Sequence, residues 1–116
     1  MTNSRRKGKN GELDAARNCA RVFGGTWRRG QQYQGGPDSP DIIGMAGAHI
    51  EVKRGQQLNA YKALQQANRD AAPGEIGFVL HRRNGEPWQV TLHLDDAPNL
   101  AHVWLWHMEK HGGPSV

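Results

Sequence analysis

With 116 residues the chain is long enough for one packed domain and too short for two. Its single cysteine, Cys19, excludes an intrachain disulfide and a cysteine-based zinc cluster, and no apolar run approaches the roughly 20 residues that a membrane-spanning helix needs. The net charge of +4 is placed unevenly: residues 1–9 carry Arg5, Arg6, Lys7 and Lys9 without an acid, while the remaining 11 basic and 11 acidic side chains cancel.

A basic arm ahead of a balanced domain suits a polyanion, most often nucleic acid, although a solubilising terminus has the same look. The arm lacks the apolar segment of a secretory signal, so a cytoplasmic location is expected. The expected organisation is one domain over residues 1–116, with 1–8 a flexible basic arm and 112–116 a flexible tail.

Asn10 is placed to cap a helix running to about Phe23, with Glu12 and Asp14 in a first turn that favours negative charge and Gly24-Gly25 as its stop. Leu13, Ala16, Ala20 and Phe23 make its apolar stripe, Glu12 borders that stripe, and Cys19 reads as a small packing residue. Thr26 to Arg29 reads as a first strand, followed by a Gln- and Gly-rich loop from Gly30 to Pro40.

The next stretch, PDSPDIIGMAGAHIEVKRG, reads as a β-hairpin: Ile42-Ile43 and His49 to Lys53 are β-branched runs around a glycine-containing turn. Alternation sets Ile50 and Val52 on a buried face and Glu51 with Lys53 on the other, so the strand is expected to be half-buried. Pairing across the turn brings Asp41 beside them, and His49 is expected on the face opposite Glu51. A second helix follows over about Asn59 to Ala71, with Tyr61, Leu64, Ala67 and Ala71 at helical spacing and Pro73-Gly74 closing it.

Ile76 to His81 and Trp88 to Leu94 read as a second hairpin around Asn84-Gly85, and Leu100 to Lys110 as an apolar helical segment. The resulting order is helix, three strands, helix, two strands and a terminal helix: an α/β fold with a central mixed sheet flanked by helices. His107 and His111 are four apart without a third ligand, which points to surface helix positions rather than zinc. Val103 to Met108 suits docking on the protein's own sheet or on a second subunit, and the subunit contact is the favoured reading.

The acidic hairpin carries the chemistry. Oxygen ligands suit hard divalent cations, and Mg²⁺ is typically held by one or two carboxylates while it keeps waters for substrate phosphates, a role that fits Asp41 and Glu51. An ammonium two residues on, Lys53, can position the attacking water and neutralise charge developing on phosphorus. An isolated Glu and Lys two apart on a strand ordinarily make a solvated face. What distinguishes this stretch is Pro40-Asp41, a short apolar strand, a turn and Ile50-Glu51-Val52-Lys53, after a helix that carries a further acid.

On these residues the chain resembles the PD-(D/E)xK nuclease superfamily, and more narrowly the archaeal and phage-type Holliday junction resolvases. Arg5-Arg6-Lys7-Gly8 with Gly11-Glu12-Leu13 is similar to their basic, glycine-containing start and first-helix glutamate, and Trp88 to Leu92 after Arg82-Arg83-Asn84 is similar to the phage members. The likeness covers most of residues 5–95, and only the hairpin is specific to nuclease chemistry.

The resemblance implies a restriction-endonuclease-like core. It implies metal binding by Asp41 and Glu51, a further ligand from the backbone carbonyl of Val52, Glu12 completing the site through a water, and Lys53 assisting the nucleophile. It also implies Mg²⁺ as cofactor with Mn²⁺ able to substitute, a homodimer, branched DNA as partner, and the host cytoplasm if the chain is phage-encoded. A basic residue of the first strand, Arg28 or Arg29, and a small hydroxyl residue, Ser39, would contact DNA together with Arg5, Arg6, Lys7 and Lys9. Asp38 also follows a proline; Asp41 is preferred because it leads straight into a strand. A related nickase or restriction-like endonuclease is one alternative, and a non-catalytic DNA-binding protein on a nuclease-like scaffold is another.

Overall fold

The computed structural model describes residues 4–30 and 39–113, with side chains from residue 8 onward. Helix α1 spans Ser4–Phe23. It therefore begins well before Asn10, and residues 4–8, expected as part of a flexible arm, are its first turns. Arginine and lysine are good helix formers, and no proline interrupts them. Glu12 and Asp14 consequently lie mid-helix, and the buried stripe is Glu12, Ala15, Ala16, Cys19 and Phe23. These positions recur at three- and four-residue spacing, so Glu12 is a member of the buried face rather than its border.

Strands β1 (Arg28–Arg29), β2 (Ile42–Ile43), β3 (Ala48–Arg54), β4 (Ile76–Arg82) and β5 (Gln89–Thr91) form one sheet in sequence order. The β3–β4 pair is parallel and the other three pairs are antiparallel. A parallel pair needs a crossover, which helix α2 (Ala60–Asp70) supplies, opened by the Asn59 side chain accepting from the Lys62 amide at 3.0 Å. A short 3₁₀ turn, Leu94–Asp96, leads into helix α3 (Ala97–His111). The protein is thus α/β, with a five-stranded mixed sheet between helices and a C-terminal helix.

Ile50, Val52, Phe78 and Leu80 pack with Ala15, Ala16, Cys19, Phe23 and Leu100 in the larger core. Val79, on the other face of the sheet, packs with Ala63, Leu64 and Ala67 of α2. Both faces of β3 and β4 are therefore covered, which corrects the expectation of a half-buried strand: His49 through Val52 are all buried. A strand next to a parallel neighbour is roofed on both sides, so the polar face read for Glu51 is an interior one.

Helix α3 divides its apolar residues between two faces. Trp104 packs its ring 5.2 Å from Phe23 and 6.2 Å from Phe78, whereas Leu105 and Trp106 are 57% and 48% exposed. His107, read as a surface residue, is buried, with its Nε2 2.8 Å from the Gly24 carbonyl oxygen. The end of α3 is pinned to the end of α1 by a β-bridge between Gly24 and Gly112, so residue 112 is not the start of a free tail. Residues 114–116 of the expected tail lie outside the described residues.

Candidate metal centre

Asp41 is fixed by its backbone before its side chain is considered. The Gly30 amide donates to the Asp41 carbonyl at 2.9 Å, and the Asp41 amide donates to the Ile50 carbonyl at 3.0 Å. A Cβ on Gly30 would strike the Pro40 carbonyl oxygen, so the close passage of β1 past Pro40-Asp41 requires glycine. Ile42 pairs with Ile50, which sets Asp41 opposite Glu51.

The Asp41 carboxylate accepts the Val52 amide through Oδ2 at 2.7 Å. Val52 thus meets Asp41 through its N–H, whereas the resemblance concerned its carbonyl. Burial, reinforced by the hydrogen bond and charge of Glu51 and by the charge of Glu12 beyond it, pushes the Asp41 carboxyl up to about 7 against the lowering effect of that amide. Asp41 of the β2 end thus feels both other acids named from the sequence, Glu12 of α1 and Glu51 of β3.

Glu12 reaches this corner from the α1 stripe and accepts from Arg29 Nε at 2.8 Å. Arg28 points away and is exposed, so the choice between the two arginines falls on Arg29. Lys53 shares the Glu51 face of β3 and is half-buried near the end of the strand. Ser39 is half-buried two residues before Asp41, and Lys9 is exposed on α1. The side chains of Arg5, Arg6 and Lys7, and the rival Asp38, lie outside the described part.

On the opposite side of Glu51 lies a group that the sequence reading missed. His49 was expected to face away from Glu51, yet two residues apart on a strand share a face, and His49 Nε2 lies 3.0 Å from Glu51 Oε1 with both side chains 2% exposed. Asp70, the last residue of α2, arrives from the roofing helix. Each of His49, Glu51 and Asp70 offers a donor atom within 4.8 Å of the others, so this group could hold a metal ion. The His-x-Glu alternation was readable in the sequence; the arrival of Asp70 depends on where α2 ends over β3.

Burial pulls the His49 imidazole down, but the hydrogen bond and charge of Glu51, with Glu75 and Asp70 beyond, outweigh it and hold His49 above its ordinary value. His49 Nδ1 faces Glu75 Oε1 at 3.9 Å, too long for a hydrogen bond but close enough for attraction.

No family model, no curated protein and no solved structure matches this chain. Among the described residues no helix is long and apolar enough to cross a membrane.

Proposed function

We propose that the chain is a metal-dependent DNA endonuclease of the PD-(D/E)xK type, with a restriction-endonuclease-like core and four-way junctions as its substrate. The observation that carries this reading is that buried Asp41 feels two further buried acids, Glu51 by hydrogen bond and charge and Glu12 by charge, with Lys53 two residues beyond Glu51 on the same face of β3. Buried carboxylates that repel one another are costly unless a cation or a proton intervenes. A hard divalent cation fits such an oxygen donor set.

Asp41 and Glu51 would hold Mg²⁺, or Mn²⁺ in its place, with Glu12 contributing through a water and the Val52 carbonyl as a further ligand. Bound there, the ion supplies Lewis-acid polarisation of a phosphoryl oxygen and a more acidic water. The residues of the chain do the rest. Lys53 orients the attacking water and offsets charge developing on phosphorus, and Arg29 holds Glu12 in place. Arg5, Arg6, Lys7 and Lys9, with Ser39, grip the sugar-phosphate backbone, which positions DNA without reading its sequence.

A junction with two-fold symmetry needs paired incisions, which a homodimer supplies, and the exposed Leu105 and Trp106 offer an apolar surface for it. The test compares a labelled four-way junction with a linear duplex of the same sequence, in Mg²⁺ and in EDTA, for wild type and Glu51→Gln. Paired, Mg²⁺-dependent cuts confined to the junction and lost in the variant are expected. Cutting of both substrates overturns the junction specificity, and intact DNA under every divalent-metal condition overturns the nuclease.

A further inference from the structure

We infer that His49, Glu51 and Asp70 form a second cation site, on the α2 side of Glu51, that takes a first-row transition metal in preference to Mg²⁺. Two independent observations lead there.

The first is the donor geometry. His49 Nε2 and Glu51 Oε1 are 3.0 Å apart, a spacing suited to neighbouring ligands of one ion, and the Asp70 oxygen completes a set lying within 4.8 Å. Ligand bonds of about 2.0–2.2 Å allow opposite donors to be about 4.2 Å apart, so a contraction of about 0.6 Å at most encloses an ion.

The second is an unmet need at Asp70. Its side chain is 4% exposed, and its Oδ2 is buried with no hydrogen-bond partner among the described residues. Its other oxygen has a 3.4 Å contact with Arg69, whose own side chain is 70% exposed, so that attraction is screened by water. Asp70 also ends α2, where the negative pole of the helix disfavours a carboxylate. Buried native acceptors are almost always satisfied, and a buried carboxylate oxygen without a hydrogen-bond donor among the described residues, in a group with another carboxylate and an imidazole, is a suitable ligand for a cation.

A simple His49–Glu51 ion pair accounts for the 3.0 Å contact but leaves Asp70 Oδ2 unexplained. With Glu51, Asp70 and Glu75 all drawn up to one imidazole, positive charge is in short supply. Glu75 stands at 3.9 Å from His49 Nδ1, on the side of the ring away from Glu51, where a carboxylate orients a ligating imidazole. One imidazole nitrogen among the donors moves the preference from Mg²⁺ toward the Mn²⁺-to-Zn²⁺ series. Glu51 then stands between two cation positions, one shared with Asp41 and one with His49 and Asp70.

The test uses the full chain and Mn²⁺, with calorimetry for affinity and pulsed electron paramagnetic resonance for coupling to ligand nitrogen. Wild type is expected to bind Mn²⁺ with imidazole ¹⁴N coupling. Asp70→Asn, which keeps the shape of the side chain, should weaken that binding at least ten-fold, and His49→Gln should remove the nitrogen coupling. Asp41→Asn should keep the coupling. Thermal melts confirm that each variant is folded; because His49 is also a packed core residue, Asp70→Asn decides the matter if His49→Gln does not fold. Mn²⁺ bound without nitrogen coupling, or an unchanged affinity in folded Asp70→Asn, overturns the inference. Nitrogen-coupled Mn²⁺ in a chain that cuts no DNA would sink the nuclease and leave this site standing, and the reverse result would sink this site alone.

Discussion

The Asp41 carboxylate and the Val52 amide are joined at 2.7 Å, a hydrogen bond that runs from the residue leading β2 into the interior of β3. It ties the carboxylate to the strand that carries Glu51, so Asp41 cannot relieve the repulsion by swinging away. A corner built in this way holds its acids together at a cost in stability, which is what a cation-binding site requires and a packing core does not.

That cost depends on pH. An acid whose folded value lies near 7 rather than the ordinary 3.8 binds its proton more tightly in the folded state. Its contribution to stability is complete below the unfolded value, declines as pH rises toward 7 and is gone above it. Asn keeps an oxygen for the Val52 amide and never ionises. The stability advantage of Asp41→Asn over wild type is predicted to grow by about 4 kcal/mol as pH rises from 4 to 7, and then to level off. Thermal melts in EDTA check this; a gap that is flat with pH would contradict the burial of an ionising Asp41.

The two neighbouring arginines should separate cleanly. Arg29→Ala removes the guanidinium 2.8 Å from the buried Glu12 and is predicted to cost about 1–2 kcal/mol. Arg28→Ala removes an exposed side chain and should cost less than about 0.5 kcal/mol. Urea unfolding of both variants reads the difference, and equal losses would mean that Arg29 does not hold Glu12.

Two glycines are predicted to respond in opposite directions. A methyl group at Gly30 runs into the Pro40 carbonyl oxygen, so Gly30→Ala should cost at least about 1 kcal/mol and, by displacing Asp41, weaken divalent-metal binding. At Gly8, in the exposed part of α1, an added Cβ meets nothing within 4 Å, and Gly8→Ala should stabilise the chain by about 0.5–1 kcal/mol. Denaturant titrations check both signs, and a neutral Gly30→Ala would show that β1 can move without disturbing Asp41.

His81 supplies an acid-side signature. Burial lowers its imidazole below the ordinary 6.5, so the folded state resists protonation, and the contribution of His81 is present above that value and lost as pH falls through it. His81→Gln is predicted to flatten the decline in melting temperature between pH 7 and pH 5, and an unchanged slope would assign the decline to other groups. Gln can still reach Thr91 Oγ1, which His81 Nε2 meets at 2.7 Å.

The order of elements was legible because its signals are local. β-Branched alternation at Ile42-Ile43 and His49 to Lys53, the Asn59 cap, and the Gly and Pro punctuation after Phe23 and Ala71 each speak within a few residues. The start of α1 was less legible because Asn10, a good cap in isolation, is also tolerated inside a helix that already has turns before it. The face of His49 followed from strand periodicity, and the expectation that separated it from Glu51 broke that rule. The burial of Glu51 on both sides and the place of Asp70 were not readable, since each depends on α2 crossing over β3. No local pattern records which end of a crossover helix meets which strand residue.

The proposed function requires this acidic corner to cut DNA with the help of Lys53. The most direct test is single-turnover cleavage of an end-labelled four-way junction in Mg²⁺ by wild type and Lys53→Ala, with junction affinity measured separately in Ca²⁺. Metal-dependent cuts by wild type and at least a ~100-fold slower rate in the variant, with Kd nearly unchanged, are expected. Intact junctions with wild type in both Mg²⁺ and Mn²⁺, or a variant that cuts at the wild-type rate, would contradict it.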